Sequence, residues 1–298
     1  MRRSLLSVLA LAFLLPAFLS PLAAQPAPKP APTPAPESEP ITIGTSHRMR
    51  THDADRRINV VVPPGYDADD KLYPLVLVLD GGLGQDFFLT LGLERWNRLW
   101  QRSSPVIFAG IETVDRQREL LPPTRTAGER TAYPSAGQGA AFRRWIAEEV
   151  LPMLRARYRT DGRAFLIGES AAGHFVAETW VTNPALFDGY AALSPSLQWD
   201  DQALSRQFRA MPARQRPPLF ISLANEGGAT EEGLMRLLAG AGPETCFADR
   251  RGRLVHANTL HGLFPEALQY LLPTEADWLA ENGLVLDCTP GRSLQPAP

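Results

Sequence analysis

Ala164-Phe165-Leu166-Ile167-Gly168-Glu169-Ser170-Ala171-Ala172-Gly173 carries a short apolar run into a turn built of small residues. The helix-compatible segment His174-Phe175-Val176-Ala177-Glu178-Thr179-Trp180-Val181 follows at once. Strand, sharp turn and helix are the context in which a nucleophile elbow lifts a serine hydroxyl above a sheet. Strand and helix nearly collide at such a turn, so the residues two before and two after the serine must be small. Gly168 and Ala172 meet that demand. The usual pattern has glycine at both places, which makes Ala172 a one-methyl departure. The competing reading is a serine that merely caps a helix at an ordinary turn.

Outward from this turn the chain alternates. Upstream, residues 140–158 form the clearest helical pattern. Phe142, Trp145, Ile146, Val150, Met153 and Leu154 recur at helical spacing, and Arg143, Arg144, Glu148 and Arg155 fall between them. Its aromatic residues read as core. Residues 116–133 are charged and broken by prolines, and read as a long surface loop. Arg116, Arg118 and Arg125 would suit an acidic substrate there, although a solvated loop fits such a charge run better. Residues 73–80 and 105–111 are continuous apolar runs, as expected of strands buried on both faces. A helix is expected between them over residues 87–101. Residues 41–50 and 56–62 read as two strands about a polar turn. Downstream, Asn183-Pro184 ends the helix after the elbow. Residues 189–193 and 218–223 read as strands, 230–238 as a helix, 254–257 as the last strand and 262–272 as the final helix. The alternation predicts an α/β fold, with a mostly parallel central sheet, helices on both faces and right-handed crossovers.

The two ends differ from this middle. Residues 1–24 have the form of a secretory signal: Arg2 and Arg3, an apolar stretch from Leu5 to Leu19 broken by Pro16, and the cleavage-like Leu22-Ala23-Ala24. Residues 25–40 are rich in proline and alanine, which predicts an extended linker without a core. Residues 41–298 are then one domain. An exported, periplasmic or secreted protein is expected, without stable membrane insertion once the signal is removed. The formal net charge of -2 gives no general reason to expect a nucleic-acid partner. Cys246 and Cys288 are the only cysteines. In an exported chain they can pair, or they can be two separate buried thiols. Without clustered histidines they make no zinc pattern.

A serine hydroxyl needs a base, and the base an orienting acid. In this arrangement the chain order is serine, acid, histidine. His261, in the loop expected after the last strand, is the first candidate for the base. His256 is second, because it falls inside that expected strand. His47 and His52 precede the core strands, and His174 reads as a helix-packing residue. Glu226, just past a core strand and followed by Gly227 and Gly228, is the candidate acid, with Glu231, Glu232, Asp200 and Asp201 as rivals. The oxyanion hole is assigned to the N–H groups of Ala171 and Gly82, with Gly81 and Leu83 as neighbouring alternatives.

These residues together resemble the putative-esterase branch of the α/β hydrolases, which includes siderophore (enterobactin-type) esterases, feruloyl-type esterases and mycolyl transferases. The resemblance rests on Tyr73-Pro-Leu-Val-Leu-Val-Leu-Asp-Gly81, Val106-Ile-Phe-Ala-Gly-Ile111 and Arg118-Glu-Leu-Leu-Pro122. It continues through residues 142–159, the elbow, Pro184-Ala-Leu-Phe-Asp188, Ser194-Pro-Ser-Leu197 with Trp199-Asp-Asp201, and His261-Gly262. It implies an α/β-hydrolase fold, Ser170 as nucleophile, His261 as base, hydrolysis of a small-molecule carboxylic ester, and no metal or organic cofactor. Acyl transfer to an alcohol and a catalytically silent binding protein are the alternatives. Ala172, and Gln198 where an aromatic residue is common, depart from the family pattern.

Overall fold

Five buried apolar runs settle side by side as parallel strands because neither of their faces tolerates water. The computed structural model describes residues 38–50, 54–210 and 215–290. Among them one sheet contains nine strands in the order β1-β2-β4-β3-β5-β6-β7-β8-β9. The strands are β1 (Thr45–Arg50), β2 (Asp55–Val61), β3 (Tyr73–Leu79), β4 (Ile107–Ile111), β5 (Thr160–Glu169), β6 (Gly189–Leu193), β7 (Leu219–Leu223), β8 (Thr245–Asp249) and β9 (Thr289–Pro290). β4, β3, β5, β6, β7 and β8 run parallel. The β1–β2 hairpin joins one edge antiparallel, and β9 the other.

Alternation along the strands sorts the core into two layers. Leu75, Leu77 and Leu79 of β3 and Leu166 of β5 point to one face. Val76, Val78, Phe165 and Ile167 point to the other. The helices are α1 (Phe87–Leu99), α2 (Arg116–Leu120), α3 (Ala127–Ala132), α4 (Gly139–Trp145), α5 (Leu151–Arg157), α6 (Ala171–Thr182), α7 (Trp199–Ala210), α8 (Gly228–Leu238), α9 (Thr259–Leu271) and α10 (Trp278–Glu281). Phe142 and Trp145 of α4, Phe175 and Trp180 of α6, Phe208 of α7 and Leu234 of α8 cover the first face. Phe87 and Leu91 of α1 and Leu263, Phe264 and Leu268 of α9 cover the second. α4 continues into α5 through one π-helical turn, Ile146–Val150.

Two expectations change. The charged loop at residues 116–133 contains α2 and α3. Asp115 starts α2 by accepting from the Arg118 N–H at 3.1 Å, and Glu119 of α2 forms a buried ion pair with Arg56 at 2.6 Å. The second change matters more. The last parallel strand is β8, not residues 254–257. Leu254 and Val255 lie in a surface loop, joined to β7's extension by a single bridge between Asn225 and Val255. His256–Asn258 is a 3₁₀ turn, and α9 begins at Thr259.

Ile43–Pro298 forms one compact unit, from which Met1–Thr42 separates. Of the latter, residues 38–42 are described; they are exposed and lack regular structure. The expected export signal and most of the expected linker lie outside the described residues. No helix among the described residues is long and apolar enough to cross a membrane.

Cys246 of β8 and Cys288 beside β9 form a disulfide that closes a span of 42 residues. A link of that span lowers the entropy of the unfolded chain by the equivalent of about 4 kcal/mol in the loop-closure picture. Cys288→Ser is therefore expected to lose about 2–4 kcal/mol of stability, read from the denaturant midpoint under non-reducing conditions. The wild type in reductant should fall to the same midpoint.

Candidate active site

β5 ends at Glu169 and α6 starts at Ala171, so Ser170 alone makes the turn. It does so at φ 61° and ψ -118°, a conformation rarely held by a residue with a side chain. The surrounding structure enforces it. The Ser170 N–H donates to the Leu193 carbonyl at 3.0 Å, and its carbonyl accepts from the N–H groups of His174 at 2.9 Å and Ser196 at 3.1 Å. A Cβ on Gly168 would stand 2.7 Å from the Ala172 main chain, which is why that position must be glycine. Ala172 is tolerated because its methyl packs over the bare Gly168.

The loops after β7 and β8 bring two further groups to Ser170. His256 Nε2 lies 2.9 Å from Ser170 Oγ. His256 Nδ1 lies 3.0 Å from Glu226 Oε1. Glu226 follows β7, and its side chain is 6 % exposed. Because a carboxylate accepts, this contact places the ring proton on Nδ1 and leaves Nε2 to accept from the serine hydroxyl. The two loops are tied together: Asn225 N–H donates to the Leu254 carbonyl at 2.9 Å. Within the histidine turn, Val255 N–H donates to Asn258 Oδ1 at 3.0 Å and Thr259 Oγ1 donates to the His256 carbonyl at 2.9 Å. The hydrogen bond to Glu226 raises the imidazole pKa above its ordinary value, against the opposing effect of burial; nearby Glu169 adds to the rise.

His261, the expected base, is not the histidine at Ser170. It sits in the first turn of α9 with its side chain exposed, because that helix starts three residues earlier than the sequence pattern indicated. The ring beside Ser170 is carried by the loop after β8, seven residues beyond the end of a strand the pattern missed. The other histidines are occupied elsewhere. His47 Nε2 lies 2.6 Å from the Tyr158 hydroxyl, and buried His174 Nδ1 lies 2.9 Å from the Ser196 carbonyl. His52 is outside the described residues. The rivals of Glu226 also have other partners: Asp200 holds Arg125 at 2.9 Å, Asp201 holds Arg206 at 2.9 Å, Glu231 holds Arg251, and Glu232 accepts from Gln202 at 3.1 Å.

Of the two expected oxyanion donors, Ala171 is the first residue of α6, so its N–H has no acceptor inside the helix. Gly82 is in the loop after β3, but its N–H donates to Gln85 Oε1 at 2.9 Å. Gln85 is itself held by Thr113, whose carbonyl accepts from Gln85 Nε2 at 2.9 Å. Gly81 N–H is engaged as well, with the Ile111 carbonyl at 2.8 Å. The glycine run did not reveal the glutamine that satisfies it. Arg116 binds Asp80 Oδ2 through Nε at 2.8 Å and the Glu169 carbonyl through an Nη at 3.2 Å, so it buttresses the elbow. Among the described residues no group of three or more histidine, cysteine, aspartate or glutamate side chains is placed to hold a metal ion.

The sequence pattern of a family described as putative esterase matches residues 48–226, more than half of the chain. The chain belongs to the putative esterase family. The family match takes in the elbow and reaches Glu226, but stops short of His256. Among curated relatives, the chain is 28% identical over 136 residues to ferri-bacillibactin esterase BesA of Bacillus subtilis, covering 40% of this chain and 47% of that protein. It is 29% identical over 162 residues to the siderophore enterobactin esterase of Emericella nidulans, covering 48% and 52%. The chain thus spans about half the length of the curated relatives it matches. Among solved structures, an IroE-like serine hydrolase from Shewanella oneidensis superposes with a TM-score of 0.68 at 21% identity, covering 77% of this chain and 80% of that one. The fold of this family member is that of the α/β hydrolases, as the resemblance implied, with the mostly parallel sheet expected from the alternation of strands and helices.

Proposed function

We propose that this member of the family is an exported serine carboxylester hydrolase working through Ser170, His256 and Glu226. The observation that carries the reading is the continuous chain of contacts from Glu226 Oε1 through both ring nitrogens of His256 to Ser170 Oγ. As Oγ attacks an ester carbonyl, its proton passes to Nε2. Glu226 stabilises the imidazolium and holds the ring in the reacting tautomer. Ala171 N–H faces the developing oxyanion. Gly82 N–H joins it by exchanging Gln85 Oε1 for the substrate oxygen, a donor worth about 3 kcal/mol in the transition state. His256 then returns the proton to the leaving alcohol, and water releases the acyl group by the same steps in reverse order. The same base serves acyl transfer if an alcohol replaces water. No observation favours that reading over hydrolysis, or favours a catalytically silent binder.

The curated relatives are named for siderophore esters, which supports a small-molecule ester as substrate. The signal-like leader and the paired cysteines support export. Treatment with a fluorophosphonate probe, followed by peptide mapping, is expected to find one adduct, on Ser170. Turnover of iron-siderophore lactones, aryl esters and short acyl esters should then rank the substrate classes. A protein that takes no label and turns over none of them would refute the reading.

A further inference from the structure

The imidazole of His256 faces two carboxylates, and the mechanism above uses one. Glu169, the residue between Gly168 and Ser170 in the elbow, places Oε1 3.4 Å from His256 Nε2, the nitrogen that also lies 2.9 Å from Ser170 Oγ. Its side chain is 17% exposed. It is aimed, because buried Thr259 shares its single hydroxyl proton between this Oε1, at 3.0 Å, and the His256 carbonyl, at 2.9 Å. One threonine therefore fixes the position of the ring's backbone and of the carboxylate that faces the ring.

We propose that Glu169 is a positioning residue that steadies the charged form of His256 from the side of the nucleophile, opposite Glu226. The inference rests on the hydrolase reading for its use, but not for its measurement. When the Ser170 Oγ–H bond breaks and an Nε2–H bond forms, the ring becomes an imidazolium held between two carboxylates. Glu169 takes no proton in this step. The new N–H lies between Oγ, the leaving-group oxygen and Glu169 Oε1. The carboxylate therefore favours proton uptake by the base and opposes its return.

The charged groups around the ring are few. Glu226 comes from the loop after β7, Glu169 from the end of β5, and Arg116 from α2. Arg116 opposes the rise in the imidazole pKa, but it is itself paired with Asp80 at the end of β3. Burial raises the carboxyl pKa of Glu169 and the charge of Asp86, before α1, adds a little, whereas His256, the hydrogen bond from Thr259 and Arg116 lower it. Removing the charge of Glu169 should thus lower the pKa of His256. The consequence for activity has a definite sign. The base works only when neutral, so activity is lost as the pH falls through the imidazole pKa, and a raised pKa places that loss at higher pH.

The test is the substitution Glu169→Gln in the full chain. Glutamine keeps an oxygen for Thr259 but carries no charge. The imidazole of His256 is titrated by NMR, and the acid limb of kcat/KM is measured with 4-nitrophenyl butyrate. Both midpoints are expected to move down by about one pH unit. A carboxylate that only holds Thr259 would leave both midpoints where they are, and that result overturns the proposal. Should Glu169→Gln fail to fold, Glu169→Asp withdraws the charge by one methylene, and a smaller downward shift of the His256 titration is required. The NMR midpoint does not depend on turnover. A protein without esterase activity but with the shift would refute the hydrolase reading alone, whereas an active enzyme without the shift would refute this inference alone.

Discussion

Ser170→Ala is expected to reduce kcat for ester hydrolysis by about six orders of magnitude while leaving the fold intact. Nothing about the turn depends on the hydroxyl. The main-chain bonds to Leu193, His174 and Ser196 hold Ser170 at its positive φ, and alanine retains all three. The side chain gives up one hydrogen bond, to an imidazole that is half exposed and free to bond water instead. Melting within about 1 °C of the wild type, together with loss of probe labelling, would separate lost chemistry from lost structure. Residual turnover above about one part in a thousand would mean that the reacting group is elsewhere.

The second large effect distinguishes two histidines five residues apart. His256→Ala is expected to cost a factor of about 10⁵ to 10⁶ in kcat, because the nucleophile then has no base and the triad acts as a unit. His261→Ala should leave kcat/KM within about twofold of the wild type, as its exposed ring sits on the first turn of α9. Rate measurements on both variants with the same ester settle the assignment. Equal losses, or a loss confined to His261→Ala, would contradict the structure's pairing of Ser170 with His256.

What could be read in advance follows from how local each constraint is. The sharp turn from β5 to α6 was legible because it is a steric rule within five residues: Gly168 and Ala172 must be small for the two elements to approach. β3, β4, β6 and β7 were legible because a strand buried on both faces needs an unbroken apolar run. The place of Glu226 just after β7 was legible because it directly follows such a run and precedes two glycines. β8 was not. Thr245-Cys-Phe-Ala-Asp249 is short and weakly apolar, and its place beside β7 is set by distant partners, including the link to Cys288. Leu254-Val255-His256-Ala257 has the stronger local pattern, yet Val255 is 52% exposed. Taking it for the strand moved the following loop downstream and moved the expected base to His261, away from His256, the histidine beside Ser170. Gln85 escaped for a related reason. A side chain that satisfies a glycine N–H through a turn leaves no periodicity to detect.

The short β9 has a bearing on handling as well as on folding. Among the described residues it covers the outer edge of β8 with Thr289 and Pro290, and is held beside it by the bond between Cys246 and Cys288. Proline offers no further donor, so the outward side of this pairing is a poor template for another chain. If the bond is cut, the bared rim of β8 becomes a place where copies can add to one another. Preparations kept in thiol should for that reason cloud and precipitate well before they lose their shape in dilute solution.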